Sequence, residues 1–171
     1  KVTTQLIPLS AETVSALNAH MVLIFTGRPR LARNLLQVVI RRWYARLPEI
    51  TRTADLLTEN AEAARAAFAA GDLAAIGHCL SAYWTHKKCM AKGCEPLFVT
   101  EFMRILAPHT HGWSLAGAGG GGFLCMITKE ANALSKLKAL LEADENIDAS
   151  ELSFFAAQVD TQGLQTSFED C

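Results

Sequence analysis

No apolar run among the 171 residues approaches the length of a helical bilayer span, and the start shows no signal-peptide pattern. Charge of one sign is equally scarce. Sixteen Lys and Arg stand against seventeen Asp and Glu, a formal net charge of −1. A balance so near zero excludes a protein built to coat nucleic acid or an acidic membrane surface. C-x-x-C spacing is missing as well. The five cysteines (79, 89, 94, 125 and 171) are odd in number and scattered, so reduced thiols in a cytoplasmic protein are the expectation. No Gly-Lys-Ser/Thr occurs, which rules out a Walker phosphate loop. Low-complexity linkers and internal repeats are absent too. With 50% apolar and 19% charged residues, what remains reads as one globular domain with a real core.

The chain begins Lys1-Val2-Thr3 without an initiator Met and is expected to be a piece of a longer polypeptide. Thr4 to Leu9 reads as a short strand, and Ser10 as the N-cap of a helix over Ala11 to His20, with Val14 and Leu17 inward. Met21 to Phe25 is a continuous apolar run closed by Thr26-Gly27, a buried strand. A helical block follows. Apolar positions 35, 36, 39, 40, 43 and 47 make one face of a helix that Pro48 stops. Ile50, Ala54, Leu57, Ala61, Ala64 and Phe68 form the seam of the next. Gly71 suits a C-cap and Asp72 an N-cap; Pro96 opens a fourth helix, which Pro108 ends.

Five glycines in six residues, Gly117-Ala118-Gly119-Gly120-Gly121-Gly122, then lead into the apolar run Phe123 to Ile127. Without Cβ atoms such a loop lets another molecule approach main-chain N–H groups closely. The spacing satisfies G-x-G-x-x-G. That dinucleotide fingerprint demands a strand before it and a helix after it, whereas a strand follows here. A plain turn between strands is the alternative, although a hairpin needs only one or two glycines. Leu134, Leu137, Leu140 and Leu141 mark a further helix, Leu152 to Val159 a strand, and Leu164 to Phe168 a short partner beyond Thr161-Gln162-Gly163. Without the central helices the order is βα-β, then βα-β. The expected fold is therefore α+β: a ferredoxin-like, split-βαβ antiparallel sheet with helices on one face and a helical insertion between its halves.

Leu115 to Phe123 resembles the third conserved motif of the GHMP small-molecule kinases. Within that superfamily the chain is most similar to the C-terminal part of the L-fucose kinases. The matching stretches run in family order over nearly the whole chain: Phe25 to Leu36, Trp84-Thr85-His86-Lys87-Lys88, Gly93-Cys94-Glu95-Pro96, the glycine loop, and Val159 to Leu164. Bacterial heptose-phosphate kinases are similar too. The resemblance implies transfer of phosphate from ATP, with Mg2+, to the anomeric hydroxyl of L-fucose, yielding β-L-fucose 1-phosphate for GDP-fucose salvage. It also implies that residues 1–171 are a C-terminal domain whose partner is the N-terminal half of the same polypeptide. That half would carry the Pro-x-x-x-Gly-Leu-Gly-Ser-Ser-like loop for ATP and any catalytic carboxylate. Neither is found here, so no catalytic residue and no metal ligand is assigned to this chain, and alone it is expected to be inactive. Residues 117–122 are expected at the cleft near the transferred phosphate. The other readings left open are a heptose-phosphate or arabinose kinase and a non-catalytic ferredoxin-like binding module.

Further candidates surround that loop. Arg28, Arg30 and Arg33 follow Thr26 and Gly27 at a strand end, where a guanidinium can reach a phosphate or sugar oxygen. Arg30 matches the family best, and Thr26, Gly27 and Arg30 are taken as possible contacts; a solvated helix start is the plainer reading. Lys87, one turn from Trp84, is a further possible contact, against a core Trp with snorkelling lysines. His109-Thr110-His111 reads as a polar loop rather than a metal site, and Asp144, Glu145 and Asp148 as surface charges.

Overall fold

The computed structural model describes residues 2–28, 32–163 and 166, with the backbone alone for 32–34. In chain order the elements are α1 (Ala11–His20), β1 (Met21–Phe25), α2 (Ala32–Tyr44), α3 (Pro48–Ala70), α4 (Leu73–Met90) and α5 (Leu97–Leu106). A 3-10 turn (Ala107–His109) follows, then β2 (Thr110–Leu115), β3 (Phe123–Thr128), α6 (Leu134–Glu142) and β4 (Ser153–Ala156). The four strands form one sheet in the order β2-β3-β1-β4, antiparallel throughout. β3 therefore lies between β1 and β2, and β1 between β3 and β4. This is the split-βαβ arrangement, with α2 to α5 as one crossover and α6 as the other.

The helix ends follow local chemistry. Ser10 accepts from the Thr13 amide and Asp72 from the Ala75 amide, satisfying N-terminal donors that have no partner within the helix. Gly71 closes α3 in the left-handed conformation, φ 68°. Pro48 both follows the end of α2 and opens α3.

Three segments differ from the sequence reading. Thr4 to Leu9 is not a strand: it pairs with nothing in the sheet, Pro8 lacks the amide a ladder needs, and Leu9 packs against a small apolar cluster instead. The missing strand is β2, whose first residues, Thr110 and His111, fall in the stretch His109 to His111 that reads as loop in the sequence. Gly112 hides it, and the structure shows why glycine is there. Helix α4 crosses so closely that a Cβ at Gly112 would lie 1.7 Å from the Gly77 carbonyl oxygen. The strand read from sequence over Leu152 to Val159 shortens to Ser153–Ala156; Leu164 to Phe168 lies outside the described residues except for 166.

Alternation along the strands sorts the core. Val22 and Ile24 of β1 and Leu124 and Met126 of β3 point to one face, where Phe102, Leu106, Leu137, Leu141 and Trp84 complete a buried cluster. Among the described residues the opposite face is covered at one end, by Leu17, Ala67 and Ile76 against Ile127. Helices thus touch both faces rather than one. At the other end Phe123 packs between Phe25 (ring centroids 5.2 Å) and Phe155 (5.9 Å), and both Phe123 and Phe155 remain exposed. Among the described residues no helix is long and apolar enough to cross a membrane.

Candidate functional site

The connection between β2 and β3 is the glycine loop. Ala116 donates to the Phe123 carbonyl at 2.8 Å, closing its base. Two of its amides turn inward: Gly120 donates to the Cys94 carbonyl (2.7 Å), and Gly122 to the Arg28 carbonyl (3.0 Å) and the Thr26 hydroxyl (3.1 Å). Thr26 answers by donating its own amide to the Gly122 carbonyl (2.9 Å). The two buried glycines between these anchors have no room for a side chain. At Gly119 (φ 94°) a Cβ would lie 2.6 Å from the Cys94 oxygen, and at Gly121 (φ 143°) 2.7 Å from the Arg28 oxygen. Glycine here is a packing requirement as well as a conformational one.

The amides of Gly117, Ala118, Gly119 and Gly121 make no hydrogen bond among the described residues. Gly117 is exposed and Ala118 half-buried, so the near end of the loop presents unpaired donors at the surface. The loop also lines two openings. Ala118 borders an apolar cleft of about 210 Å3 with Leu35, Tyr83 and Lys87. Gly120 borders a cleft of about 670 Å3 with mixed apolar and charged walls, among them Arg28, Phe98 and Asp148.

Lys87 is held by aromatic neighbours. Its ammonium donates to the Tyr83 hydroxyl (3.2 Å) and lies 5.4 Å from the Tyr83 ring centroid and 5.7 Å from that of Trp84. It makes no ion pair among the described residues. Trp84 beneath it is buried and donates its indole N–H to the Glu95 carboxylate, which also accepts from Thr100 (3.2 Å) and pairs with Lys88 (3.0 Å). That knot fixes the turn carrying the Cys94 carbonyl. Burial pushes the Cys94 thiol above the usual thiol range, so it stays protonated beneath the loop.

The structure thus brings together the loop 117–122, Thr26, Gly27 and Lys87. Thr26 is buried with its hydroxyl bonded to the loop, so it positions the loop. Gly27 (φ 69°) lets the chain pass Glu151, whose Cβ would lie 2.5 Å from a Cβ at that position. Arg30 lies outside the described residues, as does the side chain of Arg33. Arg28 stacks on Phe98 at 4.4 Å from guanidinium carbon to ring centroid, a partnership with no signal in the sequence. Asp144 pairs with Arg104 (2.7 Å), a neighbour that holds its carboxyl below the usual range. Burial, with Lys129 and two histidines nearby, pushes the His111 imidazole down. Among the described residues no group of three or more His, Cys, Asp or Glu is placed to hold a metal ion.

Residues 64–145, from α3 through the glycine loop and α6, match the family model described as GHMP kinases C terminal. The chain contains a GHMP kinase C-terminal domain. The match spans the anchors of the loop on the Cys94 side; those at Thr26 and Arg28 come from the chain before it. Two curated relatives extend the likeness. The bifunctional fucokinase/GDP-fucose pyrophosphorylase of Arabidopsis thaliana is 30% identical over 146 residues, covering 84% of this chain and 14% of that protein. The L-fucokinase/L-fucose-1-P guanylyltransferase of Bacteroides fragilis is 24% identical over 145 residues, 85% of this chain and 15% of its own length. The GHMP domain and its flanks therefore span a small part of these relatives. The crystal structure of L. major mevalonate kinase in complex with R-mevalonate has a TM-score of 0.64 at 19% identity. It covers 74% of this chain and 38% of that one, a likeness of fold.

Proposed function

We propose that this chain is the C-terminal half of an ATP-dependent sugar kinase acting on the anomeric hydroxyl of L-fucose. The proposal makes ATP and L-fucose its small-molecule partners and the N-terminal half of the same polypeptide its structural partner. One observation carries the reading. The exposed end of the glycine loop offers amides unpaired among the described residues, at an opening lined by an ammonium that has no ion-pair partner among them. In phosphoryl transfer the sugar oxygen bonds to the γ-phosphorus as the bond to ADP breaks, and the sugar hydroxyl proton leaves. Charge spreads over the equatorial oxygens, and fixed donors aimed at them lower the barrier. Gly117, Ala118 and Lys87 are the donors of that kind on this chain. The names of both curated relatives include fucokinase activity, which favours L-fucose over other sugars.

ATP with Mg2+ is the donor the family implies. The loop amides suit its oxyanions. The ligands of its metal are assigned to the other half, as the family resemblance implies. The base that takes the hydroxyl proton is assigned there too, and this chain alone is expected to be inactive. The test is a phosphorylation assay of the full-length polypeptide on L-fucose, D-arabinose and heptose phosphates. β-L-Fucose 1-phosphate is the expected main product, and residues 1–171 by themselves should give none. A folded full-length protein that phosphorylates no sugar, or a fully active 1–171, sinks the proposal.

A further inference from the structure

The cleft of about 670 Å3 on the Gly120 side of the loop has a composition of its own. Arg28 enters it from the segment after β1, with its backbone carbonyl fastened to Gly122 and its guanidinium flat against Phe98. Stacking fixes the plane of that group while leaving its edge free. Among the described residues no carboxylate or carbonyl accepts from it. A guanidinium has five N–H donors, and among the described residues none of them has a hydrogen-bond acceptor. Its charge does reach Asp148 across the cleft, where the Ser150 hydrogen bonds first, and then that charge, hold the carboxyl below the usual range.

The acceptors lie in the same cleft. Asp148 accepts the Ser150 amide and hydroxyl on one carboxylate oxygen, Oδ1, and its other oxygen accepts no hydrogen bond from the described residues. Asn146 donates its amide nitrogen to Asp144, leaving its own carbonyl oxygen open. Glu101 meets Arg104 through Oε2 alone. The cleft therefore combines unmatched donors from Arg28, unmatched acceptors from three side chains, and an apolar strip at Leu97 and Phe98.

That mixture selects a class of ligand. A phosphate or carboxylate brings acceptors only, and Asp148 and Glu101 would repel it. A hydroxyl donates once and accepts as well, so a row of hydroxyls uses both halves of the set, while the C–H face of a ring covers the apolar strip. We infer that this cleft is a sugar-hydroxyl subsite, in which Arg28 and Asp148 read the ring hydroxyls remote from the transferred phosphate. The inference rests on the kinase reading above and gives this half of the polypeptide a share in choosing the sugar.

The test is steady-state kinetics of the full-length polypeptide with ATP and a panel of L-fucose, its epimers and its deoxy analogues. Arg28→Ala should raise the KM for sugar about tenfold with kcat nearly unchanged, the signature of lost binding common to ground and transition states. The KM for ATP should stay within about twofold, and Arg28→Lys should recover part of the loss. Asp148→Asn should reorder the panel; it is an exposed substitution that carries the test if the Arg28 variants do not fold. An unchanged sugar KM, or a shift in the KM for ATP instead, overturns the subsite. If the unaltered protein phosphorylates no sugar, the kinase reading falls and calorimetry with L-fucose and inorganic phosphate decides separately. Sugar binding lost in Arg28→Ala sustains the subsite, whereas binding of phosphate alone, or of neither, overturns it.

Discussion

The Gly120 amide donates to the Cys94 carbonyl at 2.7 Å, so the glycine loop and the turn between α4 and α5 are one mechanical unit. The contact is main chain to main chain, and side-chain substitutions reach it only through shape.

Gly119 is where shape matters most. An alanine there faces a left-handed φ of 94° and a Cβ 2.6 Å from the Cys94 oxygen. Gly93 has a similar φ, 84°, with nothing within 4 Å, and so isolates the conformational part. Gly93→Ala should lose about 1 kcal/mol in urea unfolding, and Gly119→Ala about 2–4 kcal/mol. In the full-length protein Gly119→Ala should also depress kcat. Equal losses from the two would mean that the contact with Cys94 does not confine the loop.

Arg42 ties α2 to the end of α4. Its guanidinium donates to the Cys89 and Met90 carbonyls, each at 2.8 Å, and also pairs with Glu49. These carbonyls end a helix and have no partner within it, and a cation there also meets the negative end of the helix dipole. Arg42→Ala should lower stability by about 1–3 kcal/mol with an unchanged urea m-value, and Arg42→Lys by less. No change in the urea midpoint for Arg42→Ala would make the clamp decorative.

The helices, β1 and β3 are legible in the sequence because each is an apolar period bounded by a residue with one job: Ser10, Asp72, Gly71, Pro48. β2 is not. Its Gly112 answers to the approach of α4, a tertiary fact with no local trace. Thr4 to Leu9 fails the other way, short and β-like in its residues but without a strand to pair with among the described residues. The glycine loop is plain as a loop, yet two of its three anchors are the carbonyls of Cys94 and Arg28, atoms that every residue possesses. Residue identity carries no record of them. Thr26 is the anchor that sequence could single out, because its hydroxyl is a side-chain group.

The cysteines should separate by reactivity. Cys89 is exposed, whereas burial raises the Cys94 and Cys125 thiols above the usual range and thins out the thiolate that alkylates. Iodoacetamide near pH 8, read by peptide mass spectrometry, should modify Cys89 first and Cys94 only as fast as the chain unfolds. The same shift has a sign for stability. A raised folded value means the unfolded chain loses its proton first, so stability is full below the ordinary thiol range and falls as pH rises through it to the folded value. Cys94→Ser should flatten that alkaline decline. Rapid labelling of Cys94 in the folded protein contradicts the burial beneath the loop.

Lys87 distinguishes a phosphate site from a merely well-packed loop. Its ammonium lies over the Tyr83 and Trp84 rings, has no ion-pair partner among the described residues, and shares an opening with Leu35 and Ala118. Lys87→Met keeps most of the stem's packing and removes the charge, so the fold should lose less than about 1 kcal/mol. If the charge meets the transferred phosphoryl group, kcat of the full-length enzyme should fall about a hundredfold, the scale of losing one fixed donor to developing negative charge. Tyr83→Phe removes only the hydroxyl that steadies the ammonium and should cost severalfold. A Lys87→Met enzyme with unaltered kcat and a changed melting temperature would assign the residue to packing, leaving the unpaired loop amides to carry the phosphate alone.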